Sequence, residues 1–126
     1  MELVIRPVLL SPPTNKEKDM YARCVSVKLT PTGKAEFTSK LEAEIIPLLR
    51  KQKGFQDELT FIAPARNEAL AVSLWDNKDS AETYHRGAFV EVTKLLSKLV
   101  EGTPQVETYE VANSTMHKIA AALKAA

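Results

Sequence analysis

The residues able to do chemistry are few. His85 can act as a general base, because imidazole titrates near neutral pH. It also reads as a surface histidine hydrogen-bonded near a helix end. Tyr84 beside it can orient a substrate oxygen, stack on a ring, or simply anchor a helix in the core. Neighbouring helix residues diverge by about 100°, so the two need not enter one pocket. Arg23 can meet an anionic substrate or form a salt bridge. Trp75 reads as a packing and interface residue placed where an aromatic ligand can stack. Phe37, Phe61, Leu74, Trp75 and Phe89 are the expected walls of an apolar substrate pocket. Cys24 reads as a small, inert strand residue, and His117 as a lone tail histidine that a folded-over tail can deliver. No H-x-x-H or H-E-x-x-H spacing and no glycine-rich phosphate loop occurs, so neither a metal nor a nucleotide cofactor is expected.

These residues need a scaffold, and 126 residues suffice for one domain with a real core. Seventeen basic against sixteen acidic side chains leave a charge of +1, which gives no reason to expect nucleic acid or anionic lipid as a partner. One cysteine excludes an internal disulfide. The apolar run Leu3 to Leu10 is broken by Arg6 and Pro7, too short and interrupted for a signal peptide, so a cytoplasmic location is expected. Residues 1–21, with Pro12-Pro13, read as an extension. Residues 22–112 read as the domain. Residues 113–126 read as a tail helix that Ser114 caps.

Within the domain, Ala22 to Leu29 alternates as a half-buried strand. Lys34 to Lys53 carries Phe37, Leu41, Ile45 and Leu48 at helical spacing, with Thr32 as its cap, Pro47 as an internal break near Ile46 and Gly54 as its stop. Phe55 to Ala63 and Ala69 to Trp75 form a hairpin whose connection, including Arg66 and Asn67, reads as solvated. Asp76 or Asn77 caps a short helix through Arg86. Gly87 breaks it before a second long helix, Ala88 to Val100, which Gly102-Thr103-Pro104 ends. Gln105 to Val111 is the last strand. Strand, helix, strand, strand, helix, strand is the split βαβ order. It predicts an α+β, ferredoxin-like domain with two helices on one face of a four-stranded antiparallel sheet. The other face, expected to hold Trp75 and several small residues, calls for cover, which a two-fold homodimer supplies.

Several local signals go further. Thr32-Gly33-Lys34 precedes a helix, Lys53-Gly54-Phe55 enters a strand, and Ala71 to Ser80 reads AVSLWDNKDS before Ala81 and His85. On these the chain resembles the antibiotic biosynthesis monooxygenase-like family of dimeric α+β barrels, over about Tyr21 to Val111. The resemblance implies a homodimer whose sheets form a barrel, with a pocket between each sheet and its helices. It also implies activities among cofactor-independent oxidation of polycyclic phenols and quinols, haem degradation and quinol oxidation. The haem-degrading branch uses a first-strand asparagine, a short-helix tryptophan and a following-helix histidine. Ala22 to Leu29 has no asparagine, Tyr84 stands near the tryptophan position, and Ala88 to Val100 has no histidine. The leading expectation is a small cofactor-independent monooxygenase with His85, assisted by Tyr84, as base. A non-catalytic small-molecule-binding or stress-response barrel, and a purely structural dimer with a filled cavity, are the alternatives.

Overall fold

In the computed structural model, the structure describes residues 20–119. The expected extension, with Leu3 to Leu10, and the tail beyond residue 119 lie outside them. The chain runs β1 (Tyr21–Leu29), α1 (Lys34–Lys40), a π-helical turn (Leu41–Ile45), α2 (Ile46–Arg50), β2 (Phe55–Ala63), β3 (Glu68–Trp75), α3 (Lys78–Arg86), α4 (Ala88–Leu96) and β4 (Val100–Glu110). The strands form one antiparallel sheet in the order β2-β3-β1-β4, as the split βαβ pattern requires.

Pro47 explains the irregular helix. It has no N–H to give, and its ring would press on the carbonyl four residues back. The chain inserts a π turn just before it and places Pro47 in the first turn of α2, where no donor is missed. Three boundaries depart from expectation. Gly33, not Thr32, is the N-cap of α1, and no side chain caps it. The last helix stops at Leu96 rather than Val100, because Leu99 is needed in the core and Val100 pairs with Leu29 in the sheet. Gly102-Thr103-Pro104 therefore belongs to β4, with Gly102 at φ 72° near a register shift opposite Ser26 and Lys28. Residues 114–119 are irregular, with a bend at 115–117 and no helical turn, although the Ser114 hydroxyl does accept from the N–H groups of Met116 and His117.

Two side chains settle loops. Asn67, expected to be solvated, holds φ 55° and donates its amide to the carbonyls of Leu29 (3.0 Å) and Thr30 (2.9 Å), tying the hairpin to the end of β1. Asn77 is the cap of α3 and accepts from the Ser80 N–H at 2.8 Å. Gly54 sits at φ 84°, and a Cβ there would meet Ser80 Oγ at 2.3 Å and Asp76 Oδ1 at 2.4 Å. Gly54→Ala combines a left-handed backbone with a clash, so urea denaturation should show a loss of about 2–4 kcal/mol. A loss under about 0.5 kcal/mol would mean that the turn relaxes freely.

The main core lies between sheet and helices: Val27, Leu29, Phe37, Leu41, Ile45, Leu49, Trp75, Tyr84 and Val92 are buried there. Here the structure reverses the expected faces of β3. Trp75 belongs to this core and is 0% exposed, whereas Leu70, Val72 and Leu74 share the face away from the helices. Trp75 packs edge-on to Phe55, stacks on Tyr84 with centroids 4.9 Å apart, and donates its indole N–H to Ser73 Oγ at 2.9 Å. A smaller cluster of Met20, Ala22, Leu74 and Ile119 covers part of the other face, where His117 pairs with Asp57. Elsewhere on that face Phe61 is 53% exposed, and Leu59, Leu70 and Tyr109 are also exposed.

Candidate active site

Between the sheet and the helices lies a cavity of about 220 Å³. The helices line it with Phe37, Leu41, Ile45, Phe89, Val92 and Leu96. The helical stripes that build the core thus also make its roof apolar. The sheet gives it a polar floor. Glu58 lies opposite Ser73, Ser73 opposite Arg23, and Arg23 opposite Thr108, so one row of polar residues crosses all four strands on the helix-facing side. Glu58, Ser73 and Arg23 reach the cavity, joined by Tyr84 from α3.

Arg23 is the unusual member. It is 2% exposed, and among the described residues no carboxylate lies within salt-bridge distance of it. Burial lowers its pKa, because removing a cation from water costs more than its neighbours return. Those neighbours are aromatic faces and one imidazole. The guanidinium carbon lies 4.3 Å from the Phe89 ring centroid and 5.1 Å from that of Tyr84. Its Nη2 lies 2.8 Å from His85 Nδ1. An arginine has only donors, so Nδ1 must accept, and the imidazole is neutral with its proton on Nε2.

The hydroxyl of Tyr84 titrates high, at about 12. Burial raises it most, the Arg23 charge pulls it down, and Glu58 pushes it up. At neutral pH Tyr84 is a hydrogen-bond donor, not a base. Burial likewise raises the Glu58 carboxyl, against the lowering effect of the Thr60 hydroxyl that donates to it.

No family model matches the sequence, and no curated protein matches it. Solved structures match it by fold. A protein of Bordetella bronchiseptica, assigned as an antibiotic biosynthesis monooxygenase, is 21% identical with a TM-score of 0.64, over 74% of this chain and 97% of that one. The monooxygenase ActVA-Orf6 of Streptomyces coelicolor, solved with the ligand nanaomycin D, is 12% identical with a TM-score of 0.64, over 75% of this chain and 88% of that one. SnoaB of Streptomyces nogalater, a cofactor-independent oxygenase, is 16% identical with a TM-score of 0.63, over 77% and 97%. The chain has the antibiotic biosynthesis monooxygenase-like fold. At these identities the likeness is one of fold.

Within this monooxygenase-like fold, the expected site residues divide. Arg23, Phe37, Tyr84 and Phe89 line the cavity together. Trp75 does not line it and stands behind Tyr84 and Ser73. Phe61 and Leu74 were expected in its wall, but the pleat sends both to the opposite face, Phe61 into the open and Leu74 into the smaller cluster. His85 is exposed and lines an outer cleft with Tyr21, Glu82 and Thr108, and it meets the cavity wall from outside through Arg23 and by stacking on Phe89 with centroids 5.6 Å apart. Its one basic lone pair is engaged by Arg23, so in this geometry it orients the guanidinium rather than receiving a proton. Glu58 and Ser73 were missed. Alternation puts both on the face of β2 and β3 that carries Ile62 and Trp75, but only the helices packed opposite decide that this face is the inner one. Among the described residues no group of three metal-ligating side chains occurs.

Proposed function

We propose that the chain is a cofactor-independent monooxygenase that oxidises a phenol or quinol of one or two rings. One observation carries this reading: a buried arginine without a carboxylate partner among the described residues faces a cavity whose other walls are chiefly apolar and aromatic. Such a site suits a flat ring with an anionic oxygen, since the ligand supplies the missing counter-charge. Volume supports the ring count. A dry cavity of about 150 Å³ takes benzene, so about 220 Å³ suits slightly more.

The chemistry then belongs mainly to the substrate. A phenol that loses its hydroxyl proton becomes electron-rich enough to give one electron to dioxygen. The two radicals combine in a new C–O bond, and the hydroperoxide loses water to leave a carbonyl. One oxygen atom enters the product quinone and the other leaves as water. Arg23 stabilises the oxyanion, His85 Nδ1 and the Phe89 face hold the guanidinium in place, and Tyr84 donates a hydrogen bond. The apolar roof keeps bulk water from the intermediates.

We also infer a homodimer through the open sheet face, on which Leu59, Phe61, Leu70 and Tyr109 stand exposed. The non-catalytic alternative called for aromatic walls without convergent polar groups, whereas Arg23, Glu58, Ser73 and Tyr84 converge on this cavity.

Oxygen uptake tests the reading. With 1,5-dihydroxynaphthalene the protein should consume one dioxygen per hydroxynaphthoquinone formed. Product from ¹⁸O₂ should carry one labelled atom. Tight binding of naphthols with uptake no faster than the protein-free rate would instead favour a binding protein.

A further inference from the structure

We propose that Glu58 is the proton acceptor of this cavity, taking the hydroxyl proton of a phenolic ligand whose oxygen Arg23 holds. The inference rests on the phenol reading above. It follows from elimination among the groups that reach the cavity. Of the titratable side chains among the described residues, only Arg23, Glu58 and Tyr84 line it. Arg23 is a permanent cation with no acceptor atom. Tyr84 keeps its own proton to about pH 12. The helical segments present only apolar side chains, Thr93 and nearby Ser97, none of which is a base near neutrality. His85 lies outside, its basic nitrogen engaged by Arg23. Glu58 is the one lining group able to gain and lose a proton in the ordinary pH range.

Its setting suits the task. The only hydrogen bond to the carboxyl among the described residues comes from the Thr60 hydroxyl, to Oε2, and Oε1 has none. No cation pairs with it there. Burial moves its titration upward, toward the range where a carboxylate is an effective base. In the cross-sheet row Glu58 and Arg23 are separated by Ser73 alone, about 10 Å between Cα atoms, which leaves room for a ring above Ser73. The step balances simply. The O–H bond of the phenol breaks, a new O–H bond forms on the carboxylate, and the electron pair stays on the phenolate oxygen beside the guanidinium. Total charge within the cavity is unchanged, which a poorly solvated site favours over release of the proton to water.

The probe is 4-nitrophenol, whose phenolate is yellow and whose phenol is nearly colourless, added at a pH low enough that the free probe is the phenol and bound without need of turnover. Wild-type protein should bind it yellow while releasing no proton to weakly buffered solution. Glu58→Gln keeps the shape and a carbonyl acceptor for Thr60. It should bind the probe either colourless, or yellow with about one proton released per ligand. Glu58→Asp should restore the wild-type pattern in part. With an oxidisable substrate, Glu58→Gln should lower kcat by about 10²–10⁴-fold and remove the acidic limb of the pH profile. Yellow binding by Glu58→Gln with no proton released would overturn the proposal, as would full proton release by the wild type. If the glutamine variant does not fold, pH carries the test. At a pH acid enough to protonate Glu58 before the probe binds, the wild type should bind it colourless or release about one proton per ligand, and yellow binding there with no proton released would overturn the proposal. Because binding is read without oxygen, failure of the oxidation reading shows as absent uptake with the proton pattern intact.

Discussion

Arg23→Met should yield a protein that is more stable than wild type and unable to hold a phenolate. Moving a guanidinium out of water costs several kcal/mol. What Arg23 receives in return is one hydrogen bond to a neutral imidazole and two aromatic faces, about 1–2 kcal/mol each at best. With no carboxylate nearby among the described residues, the balance for the empty cavity is unfavourable. Methionine fills much of the same volume without charge, so chemical denaturation should show a gain of about 1–3 kcal/mol. Affinity for 4-nitrophenolate should fall by roughly 30- to 1,000-fold, corresponding to about 2–4 kcal/mol. His85 loses only a partner, because it is exposed and water can take over. A variant less stable than wild type would show that the guanidinium is a structural strut, and its anion-binding role would lose its physical basis. The trade-off itself, stability given up where a ligand must bind, is expected of a functional site.

The second large effect concerns Trp75. Trp75→Ala should destabilise the chain by about 3–5 kcal/mol, a large part of the 5–15 kcal/mol that holds a domain of this size together. The indole is fully buried, touches Phe55 and Tyr84, and its N–H occupies the Ser73 hydroxyl. Its loss opens a cavity directly behind the tyrosine of the site, so ligand affinity should fall as well. Trp75→Phe keeps most of the volume but not the hydrogen bond, and about 1–2 kcal/mol is expected. As the only tryptophan, Trp75 reports on itself. Its emission in the native protein should be blue-shifted and resistant to acrylamide. Facile quenching, or an alanine variant that denatures like wild type, would contradict the packing described.

The legible and illegible parts of this chain separate by range. Period and punctuation are local signals, and they placed β1, β2 and β3 to within a residue and narrowed the cap of α3 to Asp76 or Asn77, of which the structure uses Asn77. The π turn was legible as a break because Pro47 removes a donor. Which face of β3 meets the helices was not local. Leu70-Val72-Leu74 is as apolar as Ala69-Ala71-Trp75, so alternation gave two equivalent answers. The choice is made by what lies opposite. Small residues on the helix side leave space that Phe37, Tyr84 and Phe89 close over, while the larger aliphatics face away. The same reversal moved Phe61 and Leu74 out of the expected pocket and brought Glu58 and Ser73 in. The end of α4 was misread because a glycine and a proline signal a stop equally well in a helix and in a bulged strand.

The central position of β1 also governs how the molecule comes into being. Tyr21 pairs on one side with Trp75 and on the other with Glu110. Among the described strands, the one made earliest therefore has no neighbour until β3 exists, and its second edge waits until β4 has been synthesised. Every contact of the sheet that involves β1 closes a long loop, and such loops slow the search for the native pairing. A nascent chain that ends before residue 100 would carry β1 with its β4-facing edge unpaired and the polar row without Thr108. In a cell, completion of the sheet is thus a late event.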